Sequence, residues 1–362
     1  FPPDASRQQI HRQEGRTQEH RRVDTIFGSI YMGQGRSKMD CILPGHQVRP
    51  FCSAIACLSR VGKDLILEFD PVDGLTMRAL SDSKAVFSSF HYQPSFFSKC
   101  TSPSGMTARK RKRNQQDNTD DTMPEGTWCV RVPFKSLVSV VRPRKDVLSL
   151  QVVTVGDLLA FEFRLQRPEG LVAKVIHKVG VAAAQSVAAV TAMDKASELV
   201  VQPNVVLTML EPLRRASEMA LLINETHRLI SSVSFAQDDM GEHLAITKQA
   251  SLKTETSIGY DDLVEMHYVS VPDCEGDEAI PPPADLQEQV VLVFTLKEFK
   301  AMLQFCAQSH LDQELPITLR FFWGGKPILV EAKAQGFSAE LVMATLDHKL
   351  LGNMNISSGS VS

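Results

Sequence analysis

One unit occurs four times along this chain and limits its possible folds more than any other property. It is a short apolar strand that runs into an amphipathic helix and then into further strands. Strands are recognised by a side-chain period of two and helices by a period of 3.6. Two units precede and two follow a weakly polar stretch near the middle of the chain. The sequence therefore predicts an α+β protein of two similar halves, each with two units, in which strands outnumber helices.

The elements of the four units can be placed by these periods. We predict opening strands at residues 40–43, 128–132, 204–210 and 290–295, and helices at 46–61, 134–142, 211–218 and 296–309. We predict further strands at 65–69, 75–80, 147–153, 158–165, 220–224, 229–235, 317–322, 328–332 and 339–345.

Composition divides the chain into two folded halves separated by polar segments. We predict a first domain over 39–180, a connector over 181–198 and a second domain over 199–349. Residues 1–38 begin with Phe and lack apolar periodicity, so we expect a disordered arm or a translated leader that precedes Met39. Polar composition predicts a flexible insertion, an exposed loop and a disordered tail, at 101–126, 272–289 and 350–362 respectively.

Composition also excludes several classes of protein. No apolar run reaches about 18 residues, so the sequence contains no candidate transmembrane helix. The seven cysteines include no CxxC pair, which favours reduced thiols in an intracellular protein and gives no zinc site. No phosphate-binding loop is present, and we expect no cofactor. The net charge of −3 excludes a uniformly basic surface of the kind that coats nucleic acid.

The predicted helices nevertheless concentrate positive charge opposite their apolar faces. Val48, Phe51, Ile55 and Leu58 share one side of the first helix, with Arg49 and Arg60 on the other. The cations of all four helical segments are Arg49, Arg60, Lys135, Arg142, Arg144, Lys145, Arg214, Arg215, Lys297 and Lys300. These faces are either ordinary solvated helix surfaces or a track for a phosphate backbone that needs no base-specific contacts.

Two further clusters allow more than one interpretation. The run Arg109, Lys110, Arg111, Lys112 and Arg113 fits a nuclear import signal, a solvated loop or a contact with the DNA backbone. The acidic residues Glu68, Asp70 and Asp73 could hold the two metals of a nuclease. However, the composition of residues 70–74 is typical of a hairpin turn, which we prefer.

Several stretches, taken with the fourfold repeat, resemble one family. They are LSRVGKDLILEF (58–69), DGLTMRALSDSKAVFSSFHYQPSFF (73–97), TLKEFKAML (295–303), GKPILV (325–330) and MATL (343–346). Their order and spacing over residues 39–349 resemble the Rad-nine subunits of the nine-one-one DNA-damage checkpoint clamp. That family belongs to the DNA sliding clamps and is similar to proliferating cell nuclear antigen.

The resemblance implies a sliding-clamp fold in a nuclear protein that is not an enzyme. Two other clamp subunits would complete a heterotrimeric ring around double-stranded DNA, with sheets outside and helices facing the hole. An ATP-driven clamp loader would place the ring, which would then recruit a checkpoint kinase activator and repair enzymes. Partner peptides would dock beside the connector, near residues 181–200. A homotrimeric replicative clamp and a metal-dependent 3′–5′ exonuclease remain as alternatives.

The sequence departs from the family pattern at three places. Members usually carry a long Ser-rich tail, whereas only residues 350–362 follow Lys349 here. We expect either a truncated chain or the loss of tail-dependent recruitment of the kinase activator. The insertion at 101–126 and the segment 1–38 have no counterpart in the family core.

Overall fold

The computed structural model describes residues 39–101, 128–189, 193, 195–213, 216–235, 253–269, 289–308 and 314–347. The α-helices in these ranges are α1 (Gly45–Val61), α2 (Phe134–Leu137), α3 (Pro203–Met209) and α4 (Leu296–Gln308). Short 3-10 helices lie at Pro94–Phe96, Pro168–Gly170, Glu211–Leu213 and Tyr260–Asp262.

Strands make up most of the rest of the described chain. The first half contains β1 (Asp40–Pro44), β2 (Asp64–Asp70), β3 (Gly74–Leu80), β4 (Val86–Tyr92), β5 (Lys99–Thr101), β6 (Trp128–Pro133), β7 (Val147–Val155), β8 (Leu158–Gln166), β9 (Val172–Gly180) and β10 (Ala182–Ala183). The second half contains β11 (Ser197–Val201), β12 (Glu218–Asn224), β13 (Leu229–Phe235), β14 (Lys253–Gly259), β15 (Glu265–His267), β16 (Gln289–Thr295), β17 (Ile317–Phe321), β18 (Ile328–Ala334) and β19 (Phe337–Met343).

The strands form three antiparallel sheets. Their orders are β5-β1-β7-β8-β9, β10-β6-β2-β3-β4-β19-β18-β17-β11-β15 and β14-β13-β12-β16. The ten-stranded sheet takes strands from both halves, and we call it the shared sheet. The five-stranded and four-stranded sheets each belong to one half.

The two halves meet where β4 pairs with β19 in the shared sheet. Seven residue pairs are in register, from Phe337 opposite Tyr92 to Met343 opposite Val86. Aromatic rings reinforce this junction. The Phe90 and Phe305 ring centroids are 4.7 Å apart, and those of Tyr92 and Phe337 are 5.7 Å apart. Because Phe305 lies on α4, the junction joins helices as well as strands.

The helices cover one face of the shared sheet. Alternate residues of its strands are buried, for example Leu65, Leu67 and Phe69 of β2, as the period of two requires. α1 packs on β3 and β4 of the shared sheet and on β7 of the five-stranded sheet, and it also contacts α4, which in turn contacts α3. α3 and α4 also contact β14 and β12 of the four-stranded sheet, respectively. The apolar stripe of each helix is thus enclosed between helix and sheet, and the opposite face of each helix remains toward solvent.

The structure confirms the predicted helices at 46–61 and 296–309 to within one residue, as α1 and α4. The helix predicted at 134–142 is shorter, because α2 ends at Leu137 and turns follow. Val138, Val140 and Val141 are poor helix formers. In addition, the ring of Pro143 would clash with a helical carbonyl four residues earlier.

The prediction for the third unit was wrong. Residues 204–210, predicted as a strand, belong mainly to α3. In the range predicted as a helix, 211–218, the described residues form a 3-10 helix at Glu211–Leu213 and the start of β12 at Glu218. The run Val205-Val206-Leu207 has strand propensity, yet Pro203 favours a helix start and packing on α4 decides the outcome. The opening strand of this unit is β11, which begins inside the predicted connector.

The prediction also omitted several strands, namely β4, β5, β9, β10, β11, β14 and β15. The remaining strand predictions agree with the structure to within a few residues. Several predicted segments lie outside the described residues. They are 1–38, 350–362, and all but one residue each of the insertion at 101–126 and the exposed loop at 272–289.

Candidate nucleic-acid interface

Two of the candidate cations lie on α1. Val48, Phe51, Ile55 and Leu58 are buried as predicted, while Arg49 and Arg60 are exposed. A wide apolar stripe fixes the rotation of a helix about its axis. The packing of α1 on the sheet therefore points both arginines away from the protein core.

The next group of cations lies at and after α2. Phe134 and Leu137 anchor the short helix in the core. Lys135 is exposed on the helix, and Arg142 and Lys145 are exposed in the segment that leads to β7. The loop after α2 replaces the predicted helical turns but keeps these side chains in solvent.

Arg144 is held against the protein. Its guanidinium carbon lies 4.2 Å from the centroid of the Phe163 ring. Its Nη2 is 2.8 Å from Nε2 of His177 and donates to the Val140 carbonyl at 3.3 Å. Partial burial, together with the nearby Arg144 charge, lowers the pKa of His177. Arg144 is therefore partly committed to internal contacts on β8 and β9.

α4 carries the remaining described cations. Phe299, Met302 and Leu303 are buried and Lys297 is exposed. Lys300 is half-buried, and its Nζ donates to the Leu210 carbonyl at 3.0 Å. A lysine that bonds a terminal helix carbonyl satisfies one of the acceptors a helix leaves open. Lys300 thus ties α4 to the end of α3.

Six of the ten predicted cations are exposed: Arg49, Arg60, Lys135, Arg142, Lys145 and Lys297. None of these six forms a salt bridge with another described residue. Arg214 and Arg215 lie outside the described residues, as does the basic run 109–113.

The opposite face of the shared sheet has a different character. Its polar side chains are cross-linked, as where Arg320 binds Glu198 at 2.9 Å and Glu331 at 2.5 Å. Glu68 pairs with Arg78 on the neighbouring strand. Arginines thus neutralise Glu68, Glu198 and Glu331 on this face, whereas the six exposed cations of the helical face form no salt bridge with any described residue.

The acidic cluster lies on that opposite face, beside a cavity of about 460 Å³ lined by Glu68, Asp70, Asp73 and neighbouring residues. Asp70 Oδ1 accepts the backbone N–H groups of Val72 at 2.7 Å and of Asp73 at 3.2 Å. The predicted hairpin turn between β2 and β3 is confirmed. Among the described residues no group of three or more metal-ligating side chains could hold an ion.

The connector residues rest on the same face of the shared sheet. Ser186 Oγ donates to Glu68 at 2.7 Å and accepts from Arg78 at 3.1 Å. Further along, Met193 and Ala196 cover Leu329 of β18. Phe322 and Val342 pack against this small cluster, which we call the connector patch. The patch lies beside the segment near residues 181–200, where the resemblance places peptide docking, but sequence analysis did not name its residues. Leu329 and Val342 lie on strands of the main core, and their outward orientation is not evident from the sequence.

Among the described strands, β9 is at one edge of the five-stranded sheet, and β14 and β16 are the two edges of the four-stranded sheet. Val172 and Ile176 of β9 are 53% and 38% exposed. An edge strand with exposed apolar side chains is a template for pairing with another chain. The sequence analysis did not identify β9 or β14 as strands.

In the part of the chain that the structure describes, no helix is both long and apolar enough to cross a membrane.

Comparison with known proteins places these features in context. The model of the Rad9 family matches residues 51–346. The fold is similar to that of PCNA from Thermococcus kodakaraensis, with a TM-score of 0.58 and 12% identity over 85% of this chain and 99% of that one. Proliferating Cellular Nuclear Antigen from Entamoeba histolytica gives a TM-score of 0.58 and 9% identity, over 85% and 99%. The PCNA2–PCNA3 complex from Sulfolobus tokodaii gives 0.55 and 12%, over 84% and 98%.

Proposed function

Because this chain belongs to the Rad9 family, we propose that it is one subunit of a heterotrimeric checkpoint clamp that encircles double-stranded DNA. Its sliding-clamp fold and family make it a DNA clamp subunit. The finer proposal is a ring of three different chains that signals DNA damage in the nucleus, as a scaffold and not as an enzyme.

The observation that carries the DNA-binding part is the difference between the two faces of the shared sheet. The helical face holds six exposed cations without salt bridges to described residues, while Glu68, Glu198 and Glu331 of the opposite face are each bound to an arginine. Long cationic side chains contact phosphates without reading bases. A ring with this face inward would retain DNA of any sequence and still slide along it.

The proposal that this chain forms a ring with two neighbours rests on the edge strands β9 and β14. We propose that β9 of this chain pairs with an edge strand of one neighbour and β14 with an edge strand of the other. β9 carries the exposed lysines Lys174 and Lys178, whereas Lys253 and Glu255 of β14 balance each other in charge. The two edges therefore differ in net charge, and such a difference favours a fixed order of unlike subunits over random pairing. The complex of PCNA2 with PCNA3 from Sulfolobus tokodaii is an instance of unlike clamp chains that associate.

Light scattering of the full chain, alone and mixed with candidate checkpoint clamp subunits, tests this assembly. We expect a monomer that becomes a 1:1:1 complex. Ile176→Glu, which puts a charge on the edge of β9, should abolish that complex. Val72→Glu is the matched control, because Val72 is 66% exposed on a turn away from both edges. A homotrimer would identify a replicative-type clamp instead, and a monomer that ignores every partner would refute the proposal.

We further propose that the connector patch receives peptides from repair enzymes and from the checkpoint kinase activator, and that a separate ATP-driven loader places the ring. Met193, Ala196 and Leu329 are buried, and the half-buried Phe322 and Val342 form the accessible apolar edge of the patch, where a peptide would dock. Val342→Asp should weaken binding of such peptides in calorimetry. Val264→Asp, at a surface position 57% exposed and outside the patch, should leave it unchanged. Equal affinities for the two variants would exclude the patch.

A further inference from the structure

Two cysteines face each other in the five-stranded sheet. Cys41 lies on β1 and Cys100 lies directly opposite on the antiparallel edge strand β5. Their sulfur atoms are 2.9 Å apart. Side chains at directly opposed positions have Cβ atoms about 4.5–5.5 Å apart, and a disulfide needs about 3.5–4.5 Å. The two thiols are therefore placed so that a small movement of a short edge strand would bring them to bonding distance.

The surroundings assign different roles to the two sulfurs. Cys41 is fully buried, whereas Cys100 is partly accessible. The two sulfurs share a hydrogen bond in which either can donate. This contact lowers the pKa of Cys100, and the same contact together with burial raises the pKa of Cys41. The accessible sulfur is thus the one that loses its proton more readily. That is the arrangement of an attacking thiolate next to a resolving thiol.

The other described cysteines lack this arrangement. Burial raises the pKa of both Cys52 and Cys57 to about 12, and Cys306 is fully buried with a raised pKa. Cys129 is partly exposed, yet burial and the nearby Glu68 charge raise its pKa as well. Among the described thiols, only Cys41 and Cys100 combine a sulfur–sulfur contact, access from solvent and a lowered pKa on one partner.

We propose that Cys41 and Cys100 form a peroxide-sensitive pair that closes to a reversible disulfide between β1 and β5. The Cys100 thiolate attacks one oxygen of hydrogen peroxide, which breaks the O–O bond. The products are a sulfenic acid and hydroxide, which is protonated to water. Cys41 then gives up its proton and attacks the Cys100 sulfur, which releases the second water. Two thiols lose two electrons in all, and one peroxide gains them.

The bond would fasten the edge of the first half. It would close a loop from residue 41 to residue 100 that contains α1, β2, β3 and β4. Among the described strands, β5 pairs with β1 alone, so the disulfide would fix the point from which the chain leaves toward residue 102. A thiol-based reductant would reverse it by exchange at the more accessible sulfur.

Intact-mass and peptide-mapping mass spectrometry of the full chain after limiting hydrogen peroxide tests the proposal. We expect a loss of about 2 Da, because two hydrogens leave, and a linked peptide pair that contains Cys41 and Cys100. Labelling kinetics should show Cys100 reacting about tenfold or more faster than Cys129, because its thiolate fraction is larger. Dithiothreitol should restore the original mass.

Two variants and a control separate the roles. Cys41→Ser should leave Cys100 trapped as a sulfenic acid that a dimedone probe labels, and Cys100→Ser should leave Cys41 unreactive. Cys129→Ser should behave as the wild type. The mapping on the wild-type chain needs no variant to fold. A link from Cys100 to Cys274, or oxidation of Cys129 as fast as that of Cys100, would overturn the proposal.

Discussion

The junction between the halves predicts an energetic coupling that can be measured. The rings of Phe90 on β4 and Phe305 on α4 meet edge to face, with centroids 4.7 Å apart and an interplanar angle of 80°. Both rings are buried, at 0% and 3% exposure. The perturbation is replacement of each by Leu, singly and together, which keeps an apolar side chain in place but removes the ring-to-ring contact.

The magnitude follows from this geometry. Each single Leu variant should cost about 1 kcal/mol of unfolding free energy, because the swap nearly conserves volume. An aromatic pair in this arrangement contributes about 0.5–1.5 kcal/mol beyond its buried area. The double variant should therefore lose less stability than the two single losses added together, by about that amount.

The assay is urea unfolding followed by the fluorescence of the chain's own tryptophans. Its two tryptophans are Trp128 in the first half and Trp323 in the second. Single-tryptophan variants report each half separately. If the junction couples the halves, both probes should give the same midpoint, and Phe305→Leu should shift both.

The matched control lies on the same helix. Phe299 of α4 is equally buried, but its ring contacts Phe294 of its own half, at 5.3 Å. The Phe90/Phe299 cycle should be additive within about 0.5 kcal/mol. A coupling for Phe90/Phe305 no larger than this, or a Trp128 midpoint that Phe305→Leu does not move, would refute the reasoning.

Three further predictions concern charge, pH and backbone conformation. In the assembled ring, replacing Lys135, Arg142 and Lys145 with Gln should make the plot of log Kobs for DNA binding against log salt concentration less steep by about 2.7, because each lost phosphate contact changes the slope by about 0.9. Lys300→Gln is the control and should leave the slope unchanged. Because the pKa of His177 is lowered in the folded chain, the unfolded chain takes up this proton at a higher pH than the folded chain does. Stability, measured as the urea midpoint, should therefore fall as pH drops below about 6.5. His177→Gln should flatten that fall, and an equally steep pH profile in the variant would contradict it. Gly74→Ala should destabilise by about 2 kcal/mol or more in urea unfolding, because Gly74 has a φ of +105° and an added Cβ would meet the Tyr92 carbonyl; an unchanged midpoint would show that the turn adapts.

Sequence analysis predicted the elements that carry strong periodicity. The stripes of α1 and α4 and the alternation of β2 appear in the sequence because packing against one sheet face requires them. The prediction for the third unit was wrong because Val205 and Val206 favour a strand locally, whereas α3 is stabilised by contacts with α4, which is distant in sequence. β4 was missed for a related reason: it is buried on both faces, so it shows no alternation.

The candidate interface was predicted only in part. Helical periodicity placed Arg49, Arg60 and Lys297 on exposed faces, and the structure agrees. The internal bonds of Arg144 and Lys300 involve residues far away in sequence, which no local pattern reveals. Whether the exposed cations contact DNA stays a prediction for the salt experiment.

The pairing of β4 with β19 has a mechanical consequence. A hinge at the middle of this subunit would have to break a ladder of seven registered residue pairs and separate the aromatic rings beneath it. We therefore expect any bending of the subunit to be spread over the ten strands as small changes of twist. In a ring of such subunits, opening would occur at an interface between two chains, where only strand edges meet. Each subunit would move as one unit when the ring opens and closes.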